Sequence, residues 1–436
     1  MGQKQKQDLR NIVLTMLVET MEKQGFSHIL IQDAFSRYDL DPQEKAFVER
    51  LFRGTLEQIL YLDHILEPFV KDGRKKTKPV IWNILRMSLY QMLFMDSVPD
   101  RAAIYEGVRL AEKRGFRNLK GFVNAVLRNV QRGSLPENIP EYVRLSEPKW
   151  LYDRMVKQEG QEAATLFFEA ANKPDKWVCA RLNLKEKKKN EILALLEEDS
   201  CQVRDVEGIP EAVYLKNSND LTALKAFREG LLFFQDSSAM YPASLLEKFA
   251  QRETIHQILD VCAAPGGKAL HLAEKYPNAQ ILARDISESK VALIEDNVKR
   301  MRTAQVRTQV WDATVLDQEM LQNADIVIAD LPCSGLGDIG SKPEIRYRVT
   351  EDDIRTLSGL QRDILETVQS YVAEEGFLSY STCTVTREEN EENAQWFCTQ
   401  FPFELLTERR FLPGIDDCGG AYVALFRRKK HEFTEN

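Results

Sequence analysis

The 436-residue sequence predicts a multidomain chain: an all-α segment, a small α+β segment and a larger α/β segment with a parallel sheet. Three observations predict it. Apolar residues recur at helical spacing through roughly the first 135 residues. A polar stretch with three prolines then interrupts the pattern. From about residue 255 onward, strand-like and helix-like segments alternate at the spacing of βαβ units. The boundaries expected on this reading are 1–138, 139–235 and 236–430.

The helices of the first segment follow from their apolar faces. In DLRNIVLTMLVETM, Leu9, Ile12, Val13, Met16 and Leu17 fall at i, i+3, i+4, i+7 and i+8. NLKGFVNAVLRNVQR repeats that spacing through Leu119, Phe122, Val123, Val126, Leu127 and Val130. QEKAFVERLFRGTLEQILYLDHIL and KPVIWNILRMSLYQMLFM give two more long helices, with Pro42 and Pro79 where a helix start tolerates proline. RGSLPENIPEYVRLSEP reads as a linker. In the middle segment WVCARLNL and AVYLK have strand character, KNEILALLEED is helical and LLFFQD is a short buried strand.

The third segment offers six strands: QILDVC, AQILARD, RTQVWD, DIVIAD, GFLSYSTC and AYVALF, with the helix SKVALIEDNVKRM between the second and third. Their near-continuous apolar character implies a Rossmann-like sheet covered on both faces. Four strands end on or near an acid: Asp260, Asp285, Asp312 and Asp330. In an open α/β sheet ligands bind beyond the carboxyl ends of the strands, so these acids are candidates to meet one ligand's hydroxyls and amines. The turn DVCAAPGGK after the first strand has small residues, Ala263, Ala264, Gly266 and Gly267, that let backbone approach a ligand. It is neither G-x-G-x-x-G nor the phosphate loop, since only Gly266-Gly267-Lys268 of the latter is present. Lys268 could pair with a carboxylate as readily as with a phosphate.

Composition narrows the classes. A formal net charge of −8 argues weakly against a nucleic-acid partner, although a local basic face can act on an acidic protein. Two basic tracts, Lys71–Lys78 and Lys185–Lys189, read first as solvated surface. Seven cysteines without paired spacing suggest a reducing compartment, and no CxxC or histidine spacing suggests a metal. The N-terminus lacks the apolar core of a secretory signal, and VIWNILRMSLYQMLFM is too short and polar to span a bilayer. A cytoplasmic, monomeric protein without metal or membrane partner is expected.

Two cysteines stand apart: Cys333 in ADLPCSG and Cys383 in YSTCTV. A zinc deaminase needs P-C-x-x-C, but Leu336 stands at the second cysteine's place. An amino-group methyltransferase would carry Asn/Asp-Pro-Pro-Tyr there and needs no thiol. Methylation at carbon 5 of cytosine does need one, because C5 becomes nucleophilic only after a thiolate adds to C6. An acid near N3, for which Asp330 is placed, stabilises that adduct; a second group must then help release the product. The remaining cysteines read as packing residues, with Cys262 a wall of the glycine turn. The acid run REENEEN after Cys383 reads as the N-terminal part of a helix.

DVCAAPGGK, ARD, WDAT, ADLPCSG and YSTCTVTREENEE together resemble the RNA (cytosine-5) methyltransferases across the whole third segment. The resemblance implies that Cys383 is the nucleophile, that Cys333 assists product release and that Asp330 contacts N3. It also implies S-adenosylmethionine as methyl donor, held by Cys262, Ala263, Ala264, Pro265, Gly266, Gly267, Lys268, Asp285, Asp312 and Asp330. AFVERLFRGTLEQILYLDHIL and AAIYEGVRLAEKRGFRNLKGFVNAVLRNV are similar to NusB-type RNA-binding domains. That fusion implies a branch of the family acting on 16S ribosomal RNA or a small-subunit assembly intermediate. CARLNL and SKPEIRYRVTEDDIRTLSGLQRDIL resemble further family segments, which implies RNA contacts for Arg181, Asn183 and Arg346. One departure is DDCGGAYVALF, where Gly420 and Ala421 replace a common aromatic pair and imply a local packing change. Transfer RNA as the substrate, or a non-catalytic RNA-binding or antitermination factor, are the competing readings.

Overall fold

The computed structural model describes residues 7–71, 73–173, 177–216 and 221–430. It divides into two compact units, Met1–Pro174 with Ile339–Arg348, and Asp175–Asp338 with Val349–Asn436.

The first unit is helical. Pro42 and Pro79 each occupy the first turn of a helix, Pro42–Glu57 and Pro79–Phe94, and Asp41 and Glu44 close a reciprocal cap on the former. The sequence runs Pro42–Glu57 on into Ile59–Leu66 without a break in its apolar pattern, but the structure breaks the helix at Gln58. Pro79–Phe94 is buried on nearly every face from Ile81 to Gln91, as a helix apolar all round must be. Lys120–Arg132 instead buries one stripe, Val123, Val126, Leu127 and Val130, each worth roughly 1.5–3 kcal/mol. Pro79–Phe94 also takes part in a buried polar cluster: Asp63, on Ile59–Leu66, accepts Trp82 Nε1 at 2.7 Å and Arg86 Nε and Nη2 at 2.6 Å each. The expected linker is mostly exposed and irregular over 133–140, but its second half is packed, with a short helix Glu141–Arg144 and with Ser146 and Glu147 fully buried. Helices Lys149–Glu159 and Gln161–Ala171, unread in the sequence, follow it and belong to this unit.

The second unit holds two sheets. Strands β1 (Val178–Leu182), β2 (Gln202–Asp205), β3 (Ala212–Lys216) and β4 (Leu232–Phe234) form an antiparallel sheet in the order β2-β3-β1-β4. Strands β5 (Gln257–Asp260), β6 (Gln280–Asp285), β7 (Val306–Val310), β8 (Ala324–Asp330), β9 (Val372–Thr382), β10 (Phe403–Phe411) and β11 (Ala421–Arg428) form the second, in the order β10-β11-β9-β8-β5-β6-β7. β7 to β9 are mutually parallel neighbours through β5, whereas β11 and β10 are antiparallel additions. β10 is an edge strand with a charged, half-exposed pattern, which hides it from a search for apolar runs. The chain leaves β5 in one direction to β6 and β7, then crosses back to β8 on the other side. The switch point therefore lies between β5 and β8, and a crevice opens at their carboxyl ends. Asp260 ends β5 and Asp330 ends β8.

Among the described residues no helix is long and apolar enough to cross a membrane. No group of potential metal ligands occurs among them, and all seven cysteines are free.

Candidate active site

One side of the crevice is built from strand ends and the glycine turn. After β5 the chain turns into the helix Gly267–Lys275, and Gly266 takes φ +103°, a conformation that side chains rarely allow. Asp285, buried at the end of β6, accepts the backbone N–H groups of Ala264 at 3.1 Å and Ile286 at 2.8 Å. It thus ties the turn to the next strand. Asp312 stands beyond β7, exposed, accepting the Thr314 backbone and hydroxyl at 2.9 and 2.7 Å. Those hydrogen bonds hold its carboxyl below its ordinary range. Asp260 differs from both. It is 1% exposed and neither oxygen completes a hydrogen bond. Burial first, then the nearby Asp330, push its carboxyl up to about 8. Burial likewise pushes the Cys262 thiol up, so that residue is a wall of the turn.

The opposite side is built from the turns that follow β8 and β9. These neighbouring strands bring Cys333 and Cys383 together with their Sγ atoms 3.2 Å apart. Cys383 is exposed and Cys333 half-buried. The Cys383 thiol and burial together push the Cys333 thiol well above its ordinary range. Backbone contacts set this spacing: Gly337 N–H donates to Cys383 O at 3.1 Å, and Gly420 N–H to Gly337 O at 3.0 Å. A Cβ on Gly420 would lie 2.6 Å from Gly337 Cα. The glycine in place of an aromatic is therefore a close backbone approach beneath the thiols. Just beyond it the register of β11 against β9 is regular, starting with Tyr422 opposite Thr382.

Lys268 and Asp330 join the two sides. Lys268 Nζ lies 2.6 Å from Asp330 Oδ2, while Ser381 donates its hydroxyl to Oδ1 at 2.7 Å. Lys268 thus pairs with a carboxylate. Burial opposes its charge, but Asp330 more than offsets that and holds the ammonium above its ordinary range. Both oxygens of Asp330 are thereby oriented at the mouth of the crevice.

Three expected RNA contacts are corrected. Arg181 is fully buried, paired with Glu274, donating to Gln235 Oε1 at 3.2 Å and to Gly267 O at 3.4 Å. It braces the glycine turn from behind. Asn183 is 3% exposed and donates to Gly230 O at 3.1 Å. Arg346, in the helical unit, is fully buried, paired with the equally buried Glu147 at 2.5 Å and donating to Asn172 Oδ1 at 2.9 Å. A guanidinium so enclosed reaches no phosphate. Of the basic tracts, Lys185, Lys187 and Lys188 are exposed, and Asp72 within the other lies outside the described residues.

Sequence reasoning missed Ser334, Thr384, Ser381 and Glu389, which hydrogen-bond around the thiols and Asp330. Glu389 sits in the acid run read as a helix N-terminus; the helix starts only at Glu391, with Glu391 and Glu392 in its first turn. A lone acid in an acidic run carries no signal of burial.

Comparison with known proteins agrees with this arrangement. A family profile described as 16S rRNA methyltransferase RsmB/F matches residues 247–425. The NusB family matches 7–132, and an RsmF/B-like ferredoxin-like domain matches 147–222. The chain is 32% identical over 407 residues to a probable ribosomal RNA small subunit methyltransferase B of Bacillus subtilis, covering 91% of this chain and 89% of that protein. It is 30% identical to the ribosomal RNA small subunit methyltransferase B of Proteus mirabilis, covering 97% and 99%. Among solved structures, that of PH0851 superposes with a TM-score of 0.83 at 25% identity, covering 98% of this chain and 100% of that one. A methyltransferase homologue from Pyrococcus horikoshii gives 0.58 at 27% identity over 66% of this chain and 97% of its own. With a helical NusB domain, a ferredoxin-like middle domain and a mixed-sheet catalytic domain, the chain belongs to the RsmB/F family of 16S rRNA methyltransferases.

Proposed function

We propose that this chain methylates carbon 5 of one cytosine in 16S ribosomal RNA, free or within an assembling small subunit, in the cytoplasm. The observation that carries this reading is the pair of thiols 3.2 Å apart at the ends of adjacent strands, beside an oriented carboxylate. Methylation of an exocyclic amine would need neither thiol.

S-adenosylmethionine, when bound, supplies an electrophilic methyl group. The residues fit it: the Cys262–Lys268 turn brings backbone close, Asp285 and Asp312 stand at successive strand ends, and Asp260 is a buried acid with no partner of its own. An unpartnered buried acid beside a ligand crevice is most simply explained by a ligand that satisfies it.

On the substrate side, Cys383 adds as thiolate to C6 of a cytosine swung out of its stack, because a stacked ring hides that carbon. The bond moves electron density to C5, which then attacks the methyl group. Asp330, held by Lys268 and Ser381, faces N3 and steadies the charge that accumulates there. Loss of the C5 proton to water lets the ring expel the Cys383 sulfur as thiolate, and the Cys333 S–H assists by donating to that thiolate. Cys383 is the more exposed thiol, which suits it to meet the base.

Incubation with methyl-labelled donor and, separately, 16S RNA, small-subunit particles and transfer RNA tests this. Label should appear as 5-methylcytosine at one position of the 16S RNA. Label confined to transfer RNA, or to an exocyclic nitrogen, would overturn it.

A further inference from the structure

Glu389 is fully buried, and the steps above give it no part. Its Oε1 accepts the Ser334 backbone N–H at 2.7 Å and Gln361 Nε2 at 3.4 Å. Its Oε2 accepts the hydroxyls of Ser334 and Thr386, each at 2.6 Å. Ser334 has one hydroxyl proton and uses it on Glu389. The 2.7 Å contact between Ser334 Oγ and Thr384 Oγ1 is therefore donated by Thr384. Ser334 follows Cys333 and Thr384 follows Cys383, so a single carboxylate fastens both thiol-bearing turns. Gln361, on the helix Glu351–Val368, also donates to Pro332 O at 2.9 Å and steadies the same turn.

Four donors, two at each oxygen, match a carboxylate; an amide would turn its own N–H groups toward one of those pairs. The charge matters for what lies beside it. Cys333 precedes Ser334, whose N–H and hydroxyl Glu389 holds, and the Glu389 charge opposes ionisation of that thiol. Cys383 lies 3.2 Å from Cys333 and within electrostatic reach of Lys268, which is itself paired with Asp330. The carboxylate is thus tied to the residue next to Cys333, on the side away from the Lys268–Asp330 pair.

We propose that Glu389 is a positioning residue that gives the two thiols their separate roles: its buried charge keeps the shared proton on Cys333 and leaves Cys383 as the nucleophile. When the pair loses one proton to solvent, the thiolate forms on exposed Cys383, and the Cys333 S–H donates to it across 3.2 Å. Two chemically identical groups are thus distinguished by the charges near them. The inference rests on the thiols being the methyl-transfer pair, but its test uses neither RNA nor methyl donor.

The experiment is alkylation of the full-length protein with iodoacetamide across neutral to alkaline pH, with each cysteine followed by mass spectrometry. In the parent protein Cys383 should react faster than Cys333 by at least about tenfold, the factor that one pH unit of difference in proton affinity produces. Glu389→Gln should remove about tenfold of that preference by speeding Cys333. Ser334→Ala, which breaks the hydroxyl bridge and keeps the charge, should retain the preference. An unchanged preference in Glu389→Gln, or its loss in Ser334→Ala, overturns the proposal. Should Glu389→Gln not fold, Cys383→Ser supplies the decision with the carboxylate intact. Cys333 alone should then alkylate with a midpoint above the roughly 8.5 of a free thiol, and a midpoint at or below it overturns the proposal. Failure here alongside successful RNA methylation removes only the role of Glu389; failure of methylation removes the functional reading itself.

Discussion

Around the crevice at the ends of β5 and β8, Asp285 and Asp312 are held mainly by backbone N–H groups, whereas the thiol-bearing turns are held by side chains as well as by backbone. Asp285 accepts the N–H of Ile286 beside it and of Ala264, 21 residues away, and Asp312 caps its own turn at Thr314. The thiol side draws on distant chain: Ser334 meets Thr384 across 50 residues and Glu389 across 55, and Lys268 reaches Asp330 across 62. Backbone supports survive a change of side chain; side-chain supports do not. Substitutions on the acid side should alter one ligand's affinity, whereas those on the thiol side should alter the chemistry.

The largest effects belong to the thiols. Cys383→Ala should reduce turnover to background and abolish covalent attachment to RNA, as seen by denaturing gel. Cys333→Ala should still attack yet fail to release, so that a denaturant-resistant protein–RNA adduct accumulates. If the adduct builds up in Cys383→Ala and is absent in Cys333→Ala, the two roles are exchanged.

Asp260 gives the next effect, with the opposite sign for stability. Its folded-state carboxyl is raised from 3.8 to about 8, so the folded state holds a proton that the unfolded chain releases. Stability is then fully present below about pH 4, declines as pH rises toward about 8 and is constant beyond. Asp260→Asn cannot ionise and should be more stable than the parent above about pH 8, on the order of a few kcal/mol, while binding the methyl donor less well. Urea unfolding at acid and alkaline pH measures this, and a variant less stable at both would show that the acid has a partner after all.

Smaller shifts sharpen the contrast. Gly420→Ala forces a Cβ against the Gly337 backbone and should cost about 1–3 kcal/mol by thermal unfolding, with a slower methylation rate. Asp285→Ala should weaken donor binding by about 1.5–3 kcal/mol in calorimetry and leave the relative alkylation of Cys333 and Cys383 unchanged. A changed ratio would mean that the two sides are not separable.

Much of the site was legible because its motifs are local. The glycine turn, the acids at strand ends and the two thiols each stand in a short motif next to a periodic apolar run, and the structure puts them at one crevice. Arg181, Asn183 and Arg346 misled for a physical reason: a cation quoted in a motif does not disclose whether its partner is a phosphate or a buried acid. For Arg346 that partner is Glu147, 199 residues away inside a stretch that reads as linker. β10 stayed hidden because an edge strand needs little apolar pattern, and Glu389 because burial is decided by what packs over it.

The sequence by itself determined the order of those helices and strands that carry a clear apolar pattern, the glycine turn at Gly266 and the residue types available to the chemistry. All of these depend on side-chain periodicity and backbone freedom within a few residues. Only the tertiary structure decided which acid makes no hydrogen bond, which arginines are enclosed and which carboxylate ties the Cys333 and Cys383 turns together. Those properties depend on distances between segments far apart in the chain, and electrostatic energy inside a protein follows distance and burial, not position along the sequence.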